Sequence, residues 1–203
     1  MTTPLASRPS ANLAFALAYL DLDIATLAAA SGLDWNAVSG IITRRVGDAP
    51  GGHWPLASLA SAVTLGLEVD ASYLYLDIDL DEPAAKLALD GPRARGPLED
   101  RPSINMAMAL AHWAKTTAPP EQVGRGRPPE AAARLAVAVW GKGTHAQRIN
   151  DIIRRRTPGV GRGHWPKPES AEQVCAVLGV DASYLYLPPP RAREMLEAGA
   201  APR

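Results

Sequence analysis

The sequence predicts an all-α protein made of two tandem copies of one small helical domain. Ala and Leu dominate while β-branched residues are sparse, which favours helices over strands. Caps and turn residues cut the chain into short stretches with one apolar face. Two phrases also recur. Gly52-His53-Trp54-Pro55 returns as Gly163-His164-Trp165-Pro166, and Asp70-Ala-Ser-Tyr-Leu-Tyr-Leu76 returns as Asp181-Ala-Ser-Tyr-Leu-Tyr-Leu187, each 111 positions on.

The chain's 203 residues suit one ordinary domain or two small ones, and 47% hydrophobic residues suffice for a core. No run of 18 apolar residues exists, so no membrane helix is expected. Asp21 and Asp23 interrupt the apolar stretch Leu13 to Leu20, which argues against a signal peptide. A single cysteine, Cys175, excludes an intramolecular disulfide and a multi-cysteine zinc site. A cytoplasmic protein without a cofactor is expected.

Upstream, Pro9-Ser10 and Asn12 return as Pro102-Ser103 and Asn105, at an offset of 93. The second copy therefore carries 18 extra residues between Ala111 and Arg134. The expected organisation is a first domain over 1–80 and an acidic Pro/Gly linker over 81–101. A second domain over 102–190 with an inserted loop at 114–130, and a tail over 191–203, complete it.

In copy one, Asn12 to Leu20 reads as the first helix. Asp23 caps a second, Ile24 to Ala30, which Gly32 ends. Asp34 caps a third, Trp35 to Arg45. Pro55 starts a fourth, and Asp70 or Ser72 a short fifth. Copy two repeats the plan with Gly143 at the turn, a third helix Ala146 to Arg156, a fourth Lys167 to Leu178 and a fifth Ser183 to Leu187. Pro83 to Leu89 and Arg191 to Ala198 read as a further short helix after each copy.

Leu27-Ala28-x-x-x-Gly32-Leu33-Asp34-x-x-x-Val38-Ser39-x-Ile41, with the ending Leu67-x-Val69-Asp70-x-x-Tyr73-Leu74, resembles the helix-turn-helix of lambda-repressor-like (Cro/C1-type, XRE-like) domains. Copy two is similar through Gly143, Ile149 and Ile152. The resemblance implies two five-helix lobes whose third helices enter the major groove of double-stranded DNA. It implies base reading by Trp35, Asn36 and Ser39 in copy one and by Gln147, Arg148 and Asn150 in copy two. Trp35 suits packing better than reading. Related repressors dimerise through their last helices. The lobes are therefore expected to form a pseudo-dimer through Tyr73, Tyr75, Tyr184 and Tyr186, within one chain or in a homodimer.

Charge is split along the chain. Residues 9–76 hold two arginines against six acids, while residues 102–187 hold eleven basic residues against six acids. Phosphate attraction supplies most non-specific DNA affinity, so copy two is expected to dominate. Arg44, Arg45, Arg154, Arg155, Arg156 and Arg162 are the phosphate candidates, with His53 and His164 beside them. Arg125-Gly126-Arg127-Pro128 is similar to the core of an AT-hook, a likeness that implies contact of Arg125 and Arg127 with an A·T minor groove; a flexible, soluble loop is the alternative reading. No nucleophile, base or ligand set stands at useful spacing around the histidines, so neither catalysis nor a metal is expected. The leading expectation is a repressor-type transcription regulator of a prokaryote or phage, reading an asymmetric site. The rival is a protein-binding helix-turn-helix module, an antitoxin, anti-activator or antagonist, acting through the acidic first lobe.

Overall fold

The computed structural model describes residues 3–43, 55–78, 82–91, 98–117, 128–153 and 165–198, and every regular element among them is helical. The chain divides into two compact units, Met1–Glu99 and Asp100–Arg203. No single helix among the described residues is long and apolar enough to cross a membrane.

In the first unit, α1 spans Arg8–Tyr19, α2 Ile24–Ser31, α3 Trp35–Ile42, α4 Ala57–Gly66 and α5 Glu82–Leu89. Local chemistry sets these limits. The Asp23 carboxylate accepts from the Thr26 N–H at 2.7 Å, and that of Asp34 from the Ala37 N–H at 2.8 Å, which starts α2 and α3. Gly32 ends α2 with φ 65°, a left-handed turn that glycine adopts without strain. Leu13, Leu27, Val38, Ile41, Val63 and Leu74 are fully buried and form the core. Each such side chain contributes about 1.5–3 kcal/mol by leaving water.

The second unit repeats this order. Its helices are α6 (Arg101–Thr117), α7 (Pro128–Trp140), α8 (Ala146–Ile153), α9 (Pro168–Leu178) and α10 (Pro189–Glu197). Met106, Leu135, Ile149, Val174, Cys175 and Leu185 make its core. The same polar anchors recur at the sequence offsets noted above. Arg8 Nη1 donates to the Tyr75 carbonyl at 3.2 Å and Arg101 Nη1 to that of Tyr186 at 3.1 Å. The Asn12 amide donates to the carbonyls of Tyr73 and Leu76, and that of Asn105 to those of Tyr184, Leu185 and Leu187.

Several limits differ from expectation. α1 starts at Arg8, ahead of the expected Asn12, with Pro9 in its first turn, where a missing N–H costs no helical bond; Arg8 and Pro9 are buried. The expected fifth helices are 3₁₀ turns, Ala71–Tyr75 and Ala182–Tyr186, opened by Asp70 and Asp181. Within the acidic segment, the short helix expected over Pro83 to Leu89 is α5, which starts one residue earlier at Glu82 and buries Ala85 and Leu89. The insertion is not wholly a loop. α6 runs to Thr117 and α7 starts at Pro128, each five residues longer than its counterpart. Gly141, not Gly143, takes the left-handed conformation after α7, with φ 72°.

The four tyrosines expected at a lobe-to-lobe contact are core residues of their own units. Tyr73, Tyr75, Tyr184 and Tyr186 are at most 1% exposed. Tyr73 and Tyr75 donate their hydroxyls to the carbonyls of Asn12 and Pro55, and the Tyr186 ring lies against Trp165. Backbone carbonyls of both segments also accept from Arg8 and Asn12 in the first unit and from Arg101 and Asn105 in the second.

Candidate nucleic-acid interface

In each unit a short helix follows a tight turn and turns one face to the core. In α8 the inward residues are Ile149 and Ile152, three apart as one helix face requires. Gln147 and Arg148 are exposed and Asn150 is half-exposed. The end of α8 is fixed from behind, because Ser103 Oγ on α6 donates to the Ile153 carbonyl at 2.6 Å. Ser10 and Ile42 make the equivalent bond on α3, also at 2.6 Å.

The outward residues of α8 are organised by neighbours. Gln147 Nε2 donates to Asp151 Oδ1 one turn along. The Arg148 guanidinium lies over the Trp140 ring, 5.5 Å from its centroid. The His145 ring is tilted by 58° against Trp140 at 5.7 Å. Trp140 Nε1 donates in turn to Gln173 Oε1 on α9 at 2.8 Å. Gln147 and Asp151 stand four apart, a spacing visible in sequence. Trp140, His145 and Gln173 escaped sequence reasoning, since their meeting crosses a turn and a third helix.

α3 presents a different surface. Trp35 is 53% exposed, so it is not the packing residue that sequence favoured, and Asn36 is exposed beside it. Ser39 is 7% exposed and lies on the inner face with Val38 and Ile41, so its side chain is not placed to read bases. Its carbonyl accepts from Thr43 Oγ1 at 2.9 Å.

Arg44, Arg45, His53, Arg154, Arg155, Arg156, Arg162 and His164 lie outside the described residues, as do Arg125 and Arg127. Among the described residues no group of three His, Cys, Asp or Glu side chains is placed to hold a metal ion. Burial pushes the hydroxyls of Tyr73, Tyr75 and Tyr184 up from their ordinary range, so they stay neutral.

The outward side of α8 thus carries an amide bonded to a carboxylate, and a guanidinium that lies over an indole of α7. Those groups form directional hydrogen bonds and stacks; a nucleophile with its base is not among them. No family model, curated protein or solved structure matches the chain.

Proposed function

We propose that the chain is a sequence-specific double-stranded DNA-binding regulator of repressor type, in which α2–turn–α3 and α7–turn–α8 are helix-turn-helix elements and α8 is the main reading helix. One observation carries the reading: Ile149 and Ile152 hold the inner face of α8 while Gln147 and Arg148 face outward from its first turn. Gln pairs with adenine and Arg with guanine in the major groove. The sequence then runs directly into Arg154, Arg155 and Arg156, the charge that phosphates attract. Because α3 and α8 carry different outward residues, the preferred site is asymmetric.

The test is binding of the full chain to a pool of genomic duplex fragments at rising salt. Affinity that falls steeply with salt, with a shallower slope for Arg154→Ala/Arg155→Ala/Arg156→Ala, supports the proposal. No retention of fragments at low salt overturns it.

Trp35 favours a second reading for the first unit. A large exposed aromatic in an acidic lobe suits a protein contact better than a phosphate backbone. Capture of a protein partner that Trp35→Ala abolishes, with no loss of DNA affinity, would assign that unit to protein binding.

A further inference from the structure

We infer that Trp140 is the positioning residue for Arg148 and thereby sets the base preference of the second unit, an inference that rests on the DNA-binding reading above. Trp140 closes α7 and stands across the turn from α8. It is held from two sides. Its Nε1 donates to Gln173 Oε1 at 2.8 Å, and the His145 ring leans on it at 5.7 Å. A half-buried indole fixed by another helix is a rigid shelf.

On that shelf lies the Arg148 guanidinium, 5.5 Å from the ring centroid. The contact is a cation–π one, and it restrains an exposed side chain that otherwise samples many rotamers. A cation–π contact takes up no N–H group of the guanidinium, so its two-donor edge can still pair with other partners. Such an edge matches the two acceptors, O6 and N7, that guanine shows in the major groove. Part of the ordering cost of reading is met before DNA arrives. Gln173 therefore acts through Trp140, and Trp140 through Arg148.

The experiment uses the full chain and two duplexes of equal length: one selected by the wild-type chain from a random-sequence pool, and one of mixed sequence. Trp140→Ala is expected to lower the preference for the selected duplex about tenfold while affinity for the mixed duplex holds. Trp140→Phe keeps a ring for the cation and recovers part of that preference. Gln173→Ala, a change at an exposed position that leaves the core intact, loses part of it. Arg148→Ala/Trp140→Ala is expected to be no worse than Arg148→Ala alone, because both act on one contact. Equal loss on both duplexes, or an unchanged preference in Trp140→Ala and Gln173→Ala, overturns the inference and leaves DNA binding standing. A wild-type chain that holds neither duplex at low salt overturns both.

Discussion

Asn12 and Tyr73 bond each other in both directions across 61 residues of chain. The Asn12 amide donates to the Tyr73 carbonyl at 2.8 Å, and the Tyr73 hydroxyl donates to the Asn12 carbonyl at 3.0 Å. Both residues are 1% exposed, so water replaces neither bond. Asn12→Ala strips buried carbonyls of their donor and is expected to cost about 3 kcal/mol. Tyr73→Phe removes one neutral hydrogen bond and costs about 1 kcal/mol. Urea unfolding of the two variants checks the order; equal losses would mean that the reciprocal pair does not carry the stability assigned to it.

Glu68 and Gly179 occupy matching places, 111 positions apart, and both are left-handed, with φ 63° and 74°. Only glycine adopts this conformation without a Cβ penalty, roughly 1 kcal/mol for other residues. Glu68→Gly is therefore expected to raise the thermal midpoint of the chain, and Gly179→Ala to lower it. The two shifts have opposite sign, which separates the backbone effect from a general sensitivity of the site.

Cys175 lies fully buried in α9, and burial, with the negative charges of Asp181 and Glu172, pushes its thiol up from the ordinary range. A thiol without access or thiolate character does not react. A maleimide reagent is expected to leave the native chain unlabelled at neutral pH and to label it fully in denaturant. Rapid native labelling would show that α9 opens readily.

The Asp23 carboxyl is held below its ordinary value of 3.8, chiefly by the hydrogen bond from the Thr26 N–H at the start of α2. A depressed carboxylate stabilises the fold fully above its unfolded value, and that contribution fades as pH falls through the folded value. Asp23→Ser keeps a capping oxygen but does not titrate. The advantage of the wild type over Asp23→Ser is expected to be constant near neutrality and to shrink in acid, read from melting curves across pH.

Legibility in the sequence followed the range of the signal. Asp23, Gly32 and Asp34 act within four residues of themselves, and the helix starts they predict are the observed ones, while α2 runs one residue past the expected Ala30 to Ser31 before Gly32 caps it. The all-α class was legible for the same reason. The repeated Ser10, Asn12 and Tyr73 were visible as repeats, but their purpose lies in contacts more than 30 residues away. The recurrence of Tyr73 therefore points to a shared surface, whereas the residue lies in the core of its unit. Ser39 shows the same limit in a short helix: a small polar residue beside Val38 carries no mark of the face on which it lies. The Trp140–Gln173 bond joins two helices that no periodicity relates, so the shelf under Arg148 emerges only from tertiary packing.

On the proposed DNA-binding function, Ser103 and Ser10 test which unit is the reader. Each serine hydroxyl donates to the last carbonyl of a helix that follows a turn, Ile153 of α8 or Ile42 of α3, at 2.6 Å. Such a bond fixes where the helix end points, and the loss of one costs about 1 kcal/mol. Ser103→Ala and Ser10→Ala are expected to lower stability alike, since the two contacts are equivalent. Their effects on DNA differ if α8 is the main reader. Ser103→Ala then weakens binding to the selected duplex by roughly threefold to fivefold, the loss expected when part of that energy is needed to hold the helix in the groove. Ser10→Ala leaves the same affinity within error. Equal losses would give α3 an equal share in reading, and a larger loss for Ser10→Ala would reverse the assignment of the two units.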